Sequence, residues 1–205
     1  MKKTTFYGVA ILFLAGSIFT SCKSKKNVVS TNKSEIVKTL DNVIGGDTGD
    51  YIGDIMDKQA KEIRKALPGS KVERIGEGII LTMGENAVGF DSDEATFTMT
   101  AKDNLNKLVP IFKKYINTNI VIYGYADSTG TENHNQKLSA NRASSVKSYL
   151  TQNSINYNRI KTKGLGTKDP IASNETLEGR SKNRRVEFAI FANKEMMKNA
   201  RKATN

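Results

Sequence analysis

Asp127 and Arg142 are the two residues whose types and placement could do chemistry together. Asp127 opens the stretch Asp127-Ser128-Thr129-Gly130, a turn composition, directly after the apolar run Ile120-Val121-Ile122-Tyr123. Arg142 lies in the segment Thr131–Gln152, where Leu138, Val146, Tyr149 and Leu150 fall on one helical stripe. At 100° per residue Arg142 falls inside that stripe, about 40° from Leu138. A guanidinium among Leu and Val must find an anion, because an unpaired buried charge is expensive. The nearest carboxylate in the chain's topology is that of Asp127. Two arrangements follow. In one, Asp127 and Arg142 form an ion pair that clamps the turn, or Arg142 reaches water along its stem. In the other they stand apart and receive a zwitterion, Asp127 taking an ammonium and Arg142 a carboxylate through its two-pronged fork. Spacing alone leaves both open, since structural ion pairs also occupy such positions.

Other chemistry finds little support. Asp91, Asp93 and Glu94 are carboxylates close in sequence, and glycan hydrolysis needs two flanking one bond, but neighbours on one polar loop are expected to form a solvated rim. The single His134 and the single Cys22 exclude a zinc site built from several imidazoles or thiolates, and one cysteine excludes an intramolecular disulfide. His134 is expected in the exposed first turn of its helix. No nucleophile-elbow pattern surrounds a serine. The expectation is a binding protein, not an enzyme, with no cofactor and no metal.

The elements that must position Asp127 and Arg142 are legible from periodicity. Short β-like pieces cover Lys71–Ile75 and Gly78–Met83, and a polar loop runs over 85–97. Apolar spacing at Leu105, Leu108, Val109, Phe112 and Ile116 predicts a helix over Met99–Ile116, with Pro110 kinking its middle. A buried strand over Asn119–Tyr125, the helix Thr131–Gln152 and a strand over Arg159–Gly164 follow. Asp169–Lys182 is expected as a loop. The final strand, Arg184–Ala192, alternates Val186, Phe188 and Ile190 against Arg185, Glu187 and Ala189. The order β-α-β-α-β-β predicts an α+β fold, a two-layer sandwich with helices packed on one mixed sheet. The basic stretch after Asn193 is expected as a frayed helical tail.

Ahead of this domain, Lys2 and Lys3 precede the apolar run Phe6–Phe19 and the small residues Thr20 and Ser21. That run is too short for a bilayer core, which needs roughly 20 helical residues. It has the form of a secretory signal over residues 1–21. Cys22 follows the exit at once, among Lys and Ser residues that offer it no core. Residues 23–50 are polar and Gly-broken, a linker of about 30 Å r.m.s. span if flexible, with a short helical piece around Glu35–Val43. Tyr51–Leu67 carries apolar residues at Ile52, Ile55, Met56, Ile63 and Leu67 and stops at Pro68-Gly69, an amphipathic helix. Its stripe could pack on its own domain or seat an envelope protein partner. Lys and Arg number 32 against 21 Asp and Glu, for a net charge of +11. The excess is scattered without the density of a phosphate-tracking patch. An exported chain does not meet the chromosome, so nucleic acid is not expected as a partner.

The segment Phe19-Thr20-Ser21-Cys22 resembles the looser lipoprotein signals of Bacteroidetes-like proteins, which implies cleavage before Cys22 and lipidation of its thiol and new N-terminus. Several acyl chains on one residue would anchor the chain without spanning the membrane. Lys23, Ser24, Lys25 and Lys26 supply no acidic residue after that position. The outer membrane, with the chain facing the periplasm, is the implied location. The stretch Gly124-Tyr125-Ala126-Asp127-Ser128-Thr129-Gly130, then Asn135, Leu138-Ser139-Ala140-Asn141-Arg142-Ala143, Val146 and Leu150, resembles the OmpA-type peptidoglycan-binding domain. The likeness continues through Arg159-Ile160, Gly164-Leu165-Gly166, Glu178-Gly179-Arg180 and Asn183-Arg184-Arg185-Val186-Glu187, with Phe90-Asp91 as its early landmark. Tyr125 and Ala126 depart from the His and Thr usual there. This resemblance implies a noncatalytic domain, here over residues 71–192, that grips diaminopimelate of the peptidoglycan stem peptide. By the same carry-over Asp127 meets the ligand's ammonium and Arg142 its carboxylate. Phe90 and Asp91 line the pocket, Asn135 adds a polar contact and Arg185 supplements them. A second implied role is that of an assembly or motility component using the wall domain as a foothold and residues 23–70 for protein partners.

Overall fold

The computed structural model describes residues 34–41, 49–85, 87, 90 and 95–203. The signal segment, Cys22 and Asp91 lie outside the described residues. Helix α1 (Glu35–Asp41) and helix α2 (Gly49–Ala66) precede the hairpin of β1 (Lys71–Ile75) and β2 (Gly78–Gly84). Then follow α3 (Met99–Lys114), β3 (Thr118–Gly124), α4 (Glu132–Gln152), β4 (Ile160–Gly164), α5 (Leu177–Asn183), β5 (Arg185–Ala192) and α6 (Lys194–Ala203). From β2 onward the strands and the two long helices follow the expected order β-α-β-α-β-β, and β1 adds a hairpin strand at one edge.

The five strands form one mixed sheet in the order β1-β2-β5-β3-β4. β3 and β4 run parallel, with α4 as their crossover, and the other neighbours are antiparallel. Alternation sorts the side chains to two faces. Ile79, Leu81, Met83, Ile120, Ile122, Val186, Phe188 and Ile190 point to the main core, and Ile80, Tyr123 and Ala189 to the other face.

α2, α3, α4 and α6 contribute to the main core. Ile52, Met56, Ala60 and Ile63 of α2 are all buried there, so the stripe that could have seated a partner is taken up by its own domain. α3 continues through the exposed Pro110 to Lys114. Its C-terminal carbonyls are capped by Arg159, which donates to Phe112 O at 2.9 Å, Tyr115 O at 2.9 Å and Thr118 O at 2.7 Å. That buried guanidinium locks the end of α3 to the start of β3.

Three segments differ from their expected form. The stretch 169–182 is not all loop: Thr176 caps α5 by accepting from Gly179 N, and the helix buries only Gly179 and Asn183. Without an apolar stripe it left no periodic signal. α6 is a packed helix, its Met196 and Ala200 buried in the main core. α1 covers the second sheet face, where Ile36 and Leu40 pack with Ile80, Tyr123, Tyr125, Leu165 and Ala189.

Candidate functional site

The site forms where the C-terminal ends of β3 and β4 meet the first turns of α4. Past its last strand residue, β3 is held in line by the sheet's own hydrogen bonds. Tyr125 N donates to Arg185 O at 3.0 Å and Ala126 N to Gly166 O at 2.8 Å. Asp127 therefore leaves the sheet at a fixed point. Its Oδ1 accepts from Thr129 N at 2.8 Å, the side-chain turn that its composition predicts. Asn135, buried in the first turns of α4, donates its amide to the Asp127 carbonyl at 3.2 Å and the Thr129 carbonyl at 2.8 Å. Asn135 thus ties the turn to the helix that carries Arg142.

The carboxylate of Asp127 pairs with Arg184, a residue that the sequence reading did not single out. Arg184 sits between α5 and β5 and is shared. Its Nη1 donates to Asp127 Oδ2, while Nε and Nη2 form a two-pronged pair with Glu85, both at 2.7 Å. Glu85 follows directly on β2. Strand parity carried a signal for Arg184: it shares the side of Val186 and Phe188, toward the helices, whereas Arg185 shares that of Glu187. Glu85 carried none, because its partner is distant in sequence and the residues that follow it are without apolar periodicity.

These groups line one cleft of about 460 Å³, bounded by Glu85, Ala126, Asp127, Asn135, Arg142 and Arg184, with Gly130, His134 and Leu138 at its rim. Arg142 is 4% exposed, in the stripe of α4 as its spacing predicts, and its Cζ lies 5.0 Å from the Phe90 ring centroid. Phe90 stands behind Arg142, stacked in turn on Phe97 at 5.3 Å. Asp127, Arg142 and Asn135 are therefore brought to one cleft, with Phe90 against one of them. Arg185 is not brought there. Although it borders a small hollow beside Glu85 and Arg142, its guanidinium bonds Glu187 at 2.7 Å and the Asp169 carbonyl at 2.8 Å and stacks 3.6 Å from the Tyr125 ring. It serves the framework beneath the site. His134 is exposed in the first turn of α4, as expected.

Burial works to raise the Asp127 pKa, but the Thr129 amide and Arg184 outweigh it and hold the carboxyl below its ordinary range. Arg184 likewise lowers the Glu85 carboxyl against partial burial, with help from Ser181 and Arg142. The Arg184 pKa is raised in return, chiefly by Glu85. Among the described residues, the carboxylates of Glu85 and Asp127 and the guanidiniums of Arg142 and Arg184 thus face one volume. A broader groove of about 760 Å³ runs along α4 past Phe97, Ser144, Ser148 and Tyr149, with Lys102 its only charged lining residue among the described residues.

Residues 89–184 match the OmpA family. The chain carries an OmpA-family domain. It is 41% identical over 149 residues to the "Probable lipoprotein YiaD" of Escherichia coli, spanning 72% of this chain and 66% of that protein. It is 41% identical over 103 residues to the peptidoglycan-binding protein ArfA of Mycobacterium tuberculosis, spanning 50% of this chain and 32% of that one. The chain thus covers just under two thirds of YiaD and about a third of ArfA. Among solved structures, the fold resembles the periplasmic domain of Helicobacter pylori MotB, with a TM-score of 0.58 and 26% identity over 69% of this chain and 90% of that one. It also resembles the cell wall anchor of the T6SS from Pseudomonas aeruginosa, with a TM-score of 0.58 and 26% identity over 67% of this chain and 96% of that one. The cleft falls within or beside the family match: Asp127, Asn135, Arg142 and Arg184 lie inside it, and Glu85 lies just before it.

Proposed function

We propose that this chain is a noncatalytic outer-membrane lipoprotein that tethers the membrane to peptidoglycan by holding diaminopimelate of the stem peptide. The observation that carries the reading is that Asp127 and Arg142 line one cleft, with the Asp127 carboxylate paired to Arg184. Diaminopimelate places an amine and a carboxylate together on its distal carbon. A carboxylate holds several acceptor positions, and Asp127 spends one on Thr129 and one on Arg184, which leaves capacity for the ligand's ammonium. Arg142 offers a planar fork to the ligand's carboxylate, steadied from behind by Phe90. Lysine at the same stem position has the amine but lacks the carboxylate, so the site would discriminate by leaving the Arg142 side of the cleft unmatched.

The anchoring half of the reading rests on Cys22 and its flanking sequence. Lipid at one end and a reversible wall contact at the other make the second attachment intramolecular, so modest affinity at the wall suffices. The two halves are supported by the relatives YiaD, named a probable lipoprotein, and ArfA, named a peptidoglycan-binding protein. The test is cosedimentation of the chain with purified diaminopimelate-type sacculi. Wild type should pellet with the sacculi, and Asp127→Ala and Arg142→Ala should each remain mostly in the supernatant. Variants that pellet like wild type would remove Asp127 and Arg142 from the site.

A further inference from the structure

We infer that Glu85 is a specificity-determining residue of this cleft: by holding two of Arg184's donors, it keeps Asp127 available to a cationic amine. The inference rests on the wall-peptide reading above and deepens it. Arg184 has five N–H donors in a fixed fork. Glu85 engages Nε and Nη2 in a matched, two-pronged pair, so only Nη1 reaches Asp127. A guanidinium satisfied in this way cannot turn its full fork onto the second carboxylate. Without Glu85, the same fork would close on Asp127 in two-pronged fashion and both occupy and neutralise it.

The charge around Asp127 gives the same answer. With Glu85, Arg184 is flanked by two carboxylates. Without Glu85, its positive charge falls on Asp127 alone, the carboxylate that must meet a cation. Arg184 would then repel the incoming ammonium at hydrogen-bonding range. Glu85 also borders Arg142, so its loss acts on the two halves of the ligand in opposite directions, against the amine and in favour of the carboxylate. Glu85 and Asp127 lie on the two sides of Arg184, whereas the ligand's carboxylate is assigned to Arg142 on α4.

The test is calorimetric binding by the detergent-solubilised full chain of three synthetic stem peptides. One ends in meso-diaminopimelate, one in lysine, and one in 2-aminopimelate, which keeps the distal carboxylate but has no distal amine. Glu85→Gln should weaken the diaminopimelate and lysine peptides about tenfold, the cost of one charge-assisted hydrogen bond. It should leave the 2-aminopimelate peptide bound at least as tightly as by wild type, because the Glu85 carboxylate also borders Arg142. Adding Arg184→Gln to Glu85→Gln should recover most of the lost affinity for diaminopimelate, because the charge that quenches Asp127 is gone. A merely structural Glu85 predicts the opposite: all three peptides weaken alike and the double variant is worse than the single one. Either that pattern or unchanged binding by Glu85→Gln overturns the inference while leaving the wall-peptide reading intact. A wild-type chain that does not prefer the diaminopimelate peptide overturns the reading itself, and the inference with it.

Discussion

Gly124 of β3 and Gly164 of β4 lie opposite one another in the parallel pair, and the backbone of α4 rests directly on both. A Cβ at Gly124 would stand 2.0 Å from the Ser139 carbonyl oxygen, and one at Gly164 would stand 2.5 Å from the Ala140 nitrogen. At Gly124 the nearest atoms are all helix backbone, and at Gly164 only the Ala140 Cβ joins them, so the two glycines set the height of α4 above Asp127.

Gly124→Ala should therefore lift or tilt α4, moving Asn135 and Arg142 away from the turn that they serve. Overpacking of this kind costs about 1–3 kcal/mol, and the clash here is with backbone, which cannot rotate aside. We expect a lower denaturant midpoint and, with it, weaker sacculus binding. An Ala variant that melts with wild type would mean that α4 is not seated on this glycine.

The same close contact explains what was legible in the sequence. The order of strands and long helices, the helix over Tyr51–Leu67 and the buried Arg142 all follow from apolar periodicity. The seated face of α4 does not follow cleanly. Its buried residues are Asn135, Ser139, Arg142, Ala143, Val146 and Leu150, because only small residues fit over the glycine pair, and Leu138 is left half-buried at the cleft rim. Hydrophobicity marks a buried face only where there is room for large side chains. The remaining gaps have similar causes. α1 and α6 each bury two residues one turn apart, too few to make a period. The Glu85–Arg184 pair joins positions 99 residues apart in sequence, and no local pattern encodes it. Arg184 itself could have been found from the parity of β5.

Acid should loosen the cleft before the rest of the domain. The Asp127 and Glu85 carboxyls are both held below their ordinary values of 3.8 and 4.5 in the folded state. Folding is therefore favoured by their ionisation. That contribution is complete above the ordinary values and is lost as pH falls through the lowered folded ones. Urea midpoints measured between about pH 6 and pH 3 should decline more steeply for wild type than for Asp127→Asn or Glu85→Gln. Parallel acid limbs in all three chains would mean that the ion pairs with Arg184 add nothing to the folded state.

Gln59 of α2 is fully buried, and neither polar atom of its amide has a hydrogen-bond partner among the described residues. An unsatisfied buried polar group costs about 1–3 kcal/mol. Gln59→Met keeps the length of the side chain and removes the desolvated amide, so it should stabilise the domain by roughly that amount and raise the melting temperature. The substitution should leave peptide binding unchanged, since α2 contributes no residue to the cleft. A destabilised Met variant would show that the amide is satisfied in solution.

Leu40 is the main apolar anchor of α1, fully buried against the second sheet face. It lies directly over Gly78, where a Cβ would stand 2.5 Å from Leu40 Cδ2. A helix of seven residues cannot hold itself together in water, so α1 exists only while docked. Its other ties are Ile36, buried on the same face, and three polar contacts: the exposed Glu35–Lys163 pair at 2.8 Å, the Glu35 amide to Asp169 Oδ2 at 3.4 Å, and the Thr39 hydroxyl to the Tyr123 phenol. Exposed ion pairs add little. Truncating a buried Leu to Ala costs about 2–5 kcal/mol when the surroundings stay folded, which is comparable with the roughly 1.5–3 kcal/mol from burying Ile36. Leu40→Ala should therefore release α1 as a unit. Hydrogen exchange over residues 35–41 should become fast, while β3 and β5 stay protected and the global melting temperature falls only slightly. Because Asp169 also gives its carbonyl to Arg185, next to Arg184, peptide affinity should drop by a small factor as well. If Leu40→Ala instead lowers the global transition by the full cost of a core truncation and α1 exchanges no faster than the sheet, then α1 is an integral part of the core and the second sheet face is never uncovered on its own.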